Sequence, residues 1–227
     1  MEQQNKKQIA GGLLVILEGG EGVGKTTQAK ALVEYYNAQG YSAKYFREPG
    51  GNQLAEQIRN LVLYNEMDSV TETLLMNAAR RINIQNNILP ALRDGDIVIL
   101  DRFTKSTLVY QGILNHGNID FIDACNYEVT KDLFNDDYGY SLEITLLCEP
   151  EEAMRRAARE GHERNKYDIM PIEKYKEIND AYKMLKGSKN YFSCMIDTTE
   201  IEQKYVFIRL VSCINKMLES CDIVEDL

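Results

Sequence analysis

The eight residues GGEGVGKT at positions 19–26 fit the spacing G-x-x-x-x-G-K-[ST]. Glycines at those places let successive backbone N–H groups turn inward around phosphate oxygens. Lys25 adds charge for the terminal phosphates, and the Thr26 hydroxyl can ligate magnesium. The dinucleotide spacing G-x-G-x-x-G cannot be laid over the same glycines, so a nicotinamide or flavin enzyme loses its main support. A second group is DIVILDR at 96–102, an apolar run that delivers an acid, Asp101, and then Arg102. An aspartate at a strand end is often only a helix cap. Beside a phosphate loop, Asp101 is a candidate to hold magnesium directly or through water, and Arg102 to bring a permanent charge to the same crevice.

A third group points elsewhere. NKYD at 165–168 spells the pattern by which GTP-hydrolysing switches hold guanine. Such a switch needs D-x-x-G directly after its second acidic strand, whereas Asp101 is followed by RFT and the D-x-x-G at 136–139 precedes its strand. NKYD itself follows the charged run RRAAREGHER instead of leaving a buried strand. A GTP-binding switch is therefore the weaker of the two readings.

Both groups need a scaffold that brings strand ends and loops to one edge. Residues 13–17 are a short apolar run between glycines and read as a buried strand. A helix is expected over 25–39, where Ala29, Leu32, Val33 and Tyr36 recur at helical spacing and Gly40 supplies a stop. Residues 43–46 read as a second strand, REPGG turns the chain into a helical stretch at 54–63, and one long helix is expected over 70–92. Residues 97–100 give a third strand, 142–147 a fourth and 192–196 a weaker fifth. This alternation implies an α/β fold of the P-loop NTPase kind, with a mainly parallel five-stranded sheet and helices on both faces. The stretch 151–186 is helical in propensity but broken by Gly161 and Pro171, giving helix, connection, helix.

A length of 227 residues suits one domain spanning 1–227. A net charge of −9 argues against a broad grip on a nucleic-acid backbone, so the phosphate site must be local and its ligands small. The five cysteines, Cys125, Cys148, Cys194, Cys213 and Cys221, are scattered without a C-x-x-C pair, which favours reduced, packed thiols over a disulfide frame or a zinc site. Neither a signal peptide nor a membrane span is visible, and the cytoplasm is the expected compartment.

EGGEGVGKTTQ, then REPGG, LLMNAARR and DRFTKSTLVYQG, resemble in order and spacing the signature segments of bacterial-type thymidylate kinases. These are nucleoside monophosphate kinases that phosphorylate dTMP with ATP. The resemblance runs from Leu13 to about Leu218. It implies that Gly19, Gly20, Glu21, Gly22, Val23, Gly24, Lys25, Thr26 and Thr27 bind ATP, with Mg2+ held by Thr26, Asp101 and Glu48. It further implies that Glu21 accepts from the deoxyribose 3'-hydroxyl and that Arg47 and Arg102 clamp the dTMP phosphate. Arg80 would donate to a thymine carbonyl, Ser106 and Gln111 would complete base recognition, and Tyr110 would crowd the sugar's 2' position. A homodimer packed through helices is also implied.

The sequence departs from the pattern in three places. Met76 aligns with the family's base-stacking phenylalanine, and Phe103 replaces the usual tyrosine or histidine. A thioether packs on a pyrimidine less selectively than a ring, which keeps open a kinase of the same fold acting on another nucleotide or a deoxynucleoside. The phosphate loop carries no arginine, and the resemblance supplies the missing cation from a lid at about 159–170. Arg159 and Arg164 are the candidates there, Arg155 reads as solvated, and Lys166 stands where the family has an arginine.

Overall fold

A computed structural model describes residues 6–134, 139–158, 166–167, 170–185, 192–221 and 223–225. The described chain enters through β1 (Lys7–Ile9), which pairs antiparallel with the last strand, β7 (Ile223–Glu225). The main sheet contains β2 (Leu13–Glu18), β3 (Ala43–Arg47), β4 (Ile97–Asp101), β5 (Tyr140–Leu147) and β6 (Phe192–Asp197). Their order is β3-β4-β2-β5-β6, and every pairing is parallel, as the alternation of strand and helix implies.

Period-two geometry explains why the central strands read as unbroken apolar runs, because alternate residues serve opposite faces and both faces are covered. Leu13, Val15 and Leu17 of β2 join Ile97 and Ile99 of β4 beneath α1 (Lys25–Ala38) and α9 (Gln203–Leu218), which contribute Ala29, Leu32, Val206 and Leu210. Leu14, Ile16, Val98 and Leu100 pack on the other side with Ile84, Ile88, Leu89 and Leu92.

Between β3 and β4 lie α2 (Gln53–Tyr64), α3 (Ser69–Asn83) and α4 (Leu89–Arg93). Asn52 and Asp68 open α2 and α3 by accepting from the backbone N–H groups of Ala55 and Thr71. The single helix expected over 70–92 is instead interrupted by a π-helical stretch, Ile84–Ile88. Pro90 follows two residues after its end and has no N–H for the regular ladder, while the Leu89 N–H reaches back five residues to the Ile84 carbonyl. After β4 come α5 (Thr104–Thr107), a second π-helical stretch, Leu108–Leu114, and α6 (Ile119–Thr130). After β5, α7 (Pro150–Ala157) and α8 (Ile172–Met184) flank the expected lid, of which Lys166, Tyr167 and Met170 are described.

The register aligns the C-terminal ends that matter. Leu17 of β2 and Arg47 of β3 both pair with Asp101 of β4, and Glu18 pairs with Thr145 of β5. Loops leaving these ends converge on one edge of the sheet, where open parallel sheets place their ligands.

Candidate active site

The loop between β2 and α1 depends on glycine at two crowded points. Gly19 has φ 142°, and a Cβ there would lie 2.3 Å from the Leu146 carbonyl oxygen. Gly22 has φ 72°, and a Cβ would lie 2.1 Å from the Ala153 carbonyl oxygen of α7. Neither position admits a side chain. The Lys25 ammonium curls back over the loop and donates to the Gly20 carbonyl at 2.6 Å. Burial, then the neighbouring Arg102, pull its pKa below the usual lysine value. The Thr26 hydroxyl donates to Asp101 Oδ2 at 2.6 Å, so two residues expected to share a cation lie side by side. Tyr45 also donates to that oxygen at 3.4 Å, and burial, then Asp101, push its hydroxyl up to about 12.

Next to the loop stands a cluster built around Glu21. Arg102 Nη2 donates to Glu21 Oε1 at 2.6 Å, and Tyr110 Oη donates to the same oxygen at 3.3 Å. Arg102 Nη1 donates to the Gly19 carbonyl at 3.0 Å, and its guanidinium lies 5.2 Å from the Tyr110 ring centre. Burial alone would raise the Glu21 carboxyl, but Arg102, Lys25, Tyr110 and Arg59 together hold it below the usual carboxylate range. The same exchange, against its own burial, drives Arg102 upward. Arg102 takes a left-handed backbone, φ 71°, at the turn out of β4, a conformation that costs a non-glycine residue about 1–3 kcal/mol.

Arg59 was not among the residues expected from sequence. Its guanidinium donates to the Pro49 carbonyl at 3.1 Å, and burial, then Arg47, lower its pKa. Arg47 is gripped by Glu56 through Nη2, at 2.9 and 3.0 Å. Nothing in the helical pattern of α2 distinguishes Arg59 from a solvated polar residue, so the sequence carried no signal for it.

Beneath the cluster, Glu18 is fully buried and accepts from Phe103 N, Ser106 N, Ser106 Oγ and Tyr182 Oη at 2.7–3.0 Å. This carboxylate fixes the start of α5 and hence the residues after Arg102. Ser106 is thereby committed to Glu18, Tyr182 and Arg102. A carboxylate ending the run LLVILE is a signal that could have found Glu18, because a buried charge must be paired.

Two residues expected at the base and the metal have protein partners in this structure. Arg80 is fully buried and spends its fork on Glu48, Asn77, Asn126, Phe103 and Thr107 through five hydrogen bonds of 2.6–3.3 Å. In this arrangement it has no N–H left for a thymine carbonyl. The Glu48 carboxylate bonds Arg80 through Oε2 at 2.6 Å, while its Oε1 has no hydrogen-bond partner among the described residues. Burial raises Glu48 despite Arg80. Phe103 is a core residue whose carbonyl and ring both face Arg80. Met76 is buried on α3, one helical turn before Arg80. Gln111 is buried as well, and its Oε1 has no hydrogen-bond partner among the described residues.

Arg159 and Arg164, the expected lid cations, lie outside the described residues, as do Asn165 and Asp168 of NKYD. Arg155 is exposed and pairs with Glu152 on its own helix. Lys166 is turned toward Glu72 of α3.

A glycine loop between a buried strand and a helix, a hydroxyl and a carboxylate paired at its mouth, and an arginine-bearing cluster beside it are the arrangement of a P-loop kinase. A family model described as thymidylate kinase matches residues 17–206. A thymidylate kinase of Bacillus pumilus is 36% identical over 178 residues, covering 77% of this chain and 82% of that protein. One from Shouchella clausii is 38% identical over 180 residues, with 77% and 81% covered, and one from Rickettsia africae is 36% identical over 174 residues, with 77% and 83% covered. The chain belongs to the thymidylate kinase family.

Proposed function

We propose that this chain transfers the γ-phosphoryl group of ATP to the 5'-phosphate of dTMP, giving dTDP and ADP, at the edge where Glu21, Arg59 and Arg102 meet the phosphate loop. The observation that carries this reading is the Glu21, Arg102 and Tyr110 cluster, which sets an acceptor site beside the loop glycines. Loop N–H groups and Lys25 hold the donor phosphates. Arg102 and Arg59 offset the repulsion between two anionic substrates as the acceptor oxygen approaches phosphorus in line. The phosphorus–oxygen bond to ADP breaks as the new one forms, and no covalent enzyme intermediate is required. Glu21 Oε2 takes no hydrogen bond among the described residues and suits a sugar 3'-hydroxyl. Gln111 Oε1 suits the N3–H of a thymine.

Thr26 and Asp101 offer hard oxygen donors at hydrogen-bonding distance, a set that fits Mg2+. No group of three or more His, Cys, Asp or Glu suited to a metal occurs among the described residues, in keeping with an ion held largely by substrate phosphates and water. Bound there, the ion would neutralise charge on the transferring phosphates. We assign the remaining cation to Arg159 or Arg164, because the loop itself carries no arginine.

The chain acts as one kinase unit in the cytoplasm, without nucleic-acid or membrane partners. The acidic balance supports this, and no described helix is long and apolar enough to cross a membrane. Leu54 and Leu61 of α2, with Val70 and Leu74 of α3, expose apolar surface on two packed helices, which supports a homodimer through that face. A coupled assay of ADP release with dTMP, dUMP, dGMP and thymidine against ATP and GTP tests the substrate reading. The expected result is preference for dTMP with ATP; GTP hydrolysis independent of acceptor would sink it.

A further inference from the structure

The turn that carries Lys166 and Tyr167 is tied to the acceptor end of the site through one carboxylate. Glu72 of α3 is fully buried, in a helix whose first turn is otherwise exposed or half-buried. Its Oε1 accepts from Lys166 Nζ at 2.5 Å and from Tyr167 Oη at 2.8 Å, and its Oε2 accepts from Asn115 Nδ2 at 2.9 Å. Lys166 Nζ also donates to the Asn65 carbonyl at 3.3 Å, beyond the end of α2. A buried carboxylate is tolerated only with such partners, so the geometry of all three groups is mutually fixed.

Tyr167 is what this arrangement delivers. Its ring meets Tyr110 edge to face, with centres 5.2 Å apart and an interplanar angle of 83°, and its hydroxyl accepts from Gln111 Nε2 at 3.4 Å. Burial, then Glu72, push the Tyr167 hydroxyl upward, which keeps it a donor toward the carboxylate. Glu72, Met76 and Arg80 follow one another at four-residue steps along α3, so the anchor and the residue aligned with the family's base-stacking position share one helix face.

We propose that Glu72 is a positioning residue for acceptor selection. It holds the Lys166–Tyr167 turn on α3 so that Tyr167 closes the nucleobase end against Tyr110 and Gln111, where Met76 replaces a ring. Lys166 is then part of the anchor and does not supply the charge that meets the transferring phosphoryl group. An ion pair that merely staples the fold would affect stability without favouring one substrate over the other, and the kinetics separate these roles. The proposal rests on Tyr110 and Gln111 lining the acceptor site.

The test compares Glu72→Gln, Lys166→Met and Tyr167→Phe in full-length protein, with KM for dTMP and for ATP, kcat and the urea unfolding midpoint measured for each. In every variant KM for dTMP should rise about 3- to 30-fold, the span of coupling within one shared network, while KM for ATP stays within twofold. Glu72→Gln combined with Tyr167→Phe should be no worse than Glu72→Gln alone. Equal rises in both KM values, an unchanged KM for dTMP, or additive effects in the pair would overturn the proposal. So would a collapse of kcat in Lys166→Met with KM for dTMP unchanged. If Glu72→Gln does not fold, the half-buried members of the anchor, Lys166→Met and Tyr167→Phe, still decide the matter. Arg102→Ala locates a failure: if it too leaves KM for dTMP unchanged, the acceptor-site reading is at fault and not the role of Glu72.

Discussion

Arg59 reads in sequence as one more polar residue on an amphipathic helix, yet in space it adds a further arginine to the surroundings of Glu21. Because burial and Arg47 already disfavour its charge, an incoming phosphate relieves repulsion there as well as gaining a charge-assisted hydrogen bond. Arg59→Ala should therefore raise KM for dTMP by about tenfold or more while leaving KM for ATP nearly unchanged, as initial-rate kinetics would show. Equal KM values would return Arg59 to the scaffold. Glu21 gives a second prediction at this scale. Its folded pKa lies below the ordinary 4.5, so its contribution to stability is complete above that pH and is lost as pH falls through the folded value. Urea unfolding should find Glu21→Gln less stable than the parent at pH 7, with the gap narrowing below pH 4.5. Glu48, with its pKa raised by burial, works in the opposite sense and lowers stability as it ionises. Among these residues, spacing revealed the ones whose chemistry is tied to a motif, such as Lys25, Thr26 and Asp101. Arg80 shows the limit, since a motif position does not say which partners a guanidinium will find inside.

Elements, too, are held by groups that look out of place in their own segments. Lys105 of α5 is buried and forms an ion pair with Glu143 of β5, and it also donates to Thr145 Oγ1 at 3.1 Å. This strut ties the short helix after Arg102 to the neighbouring strand, on the same face of the sheet as Glu18, whose register partner is Thr145. Removing one member leaves a buried charge without its partner, so Lys105→Met or Glu143→Gln should each cost about 3–5 kcal/mol in urea unfolding. Lys105→Met with Glu143→Leu should recover most of that loss; single variants as stable as the parent would show that the strut carries no weight. The five sheet strands were legible because both faces are covered and apolar runs follow. β1 and β7 were not, since three residues show no period and their pairing joins segments more than two hundred positions apart. The π-helical stretch before Pro90 was equally hidden, because the apolar spacing through 84–92 continues across it while the hydrogen-bond ladder widens.

At the scale of the whole molecule, α2 and α3, the helices that carry Arg59 and Arg80, leave Leu54, Leu61, Val70 and Leu74 exposed. A stable pair of chains needs about 1,200–2,000 Å² of buried surface, and Leu74→Glu would put a charge among these exposed apolar side chains. Sedimentation velocity should then give one chain's mass where the parent gives two; identical masses would remove this face as the contact. A different kind of consequence follows from the contact between Gly22 and the Ala153 carbonyl, where no Cβ can fit. The phosphate loop is seated directly on the backbone of α7, the helix that leads toward the lid. Loop and α7 therefore form one exchangeable part: a chimera that grafts another relative's lid must carry that relative's α7 and loop together, or the graft will meet a seat cut for a different helix.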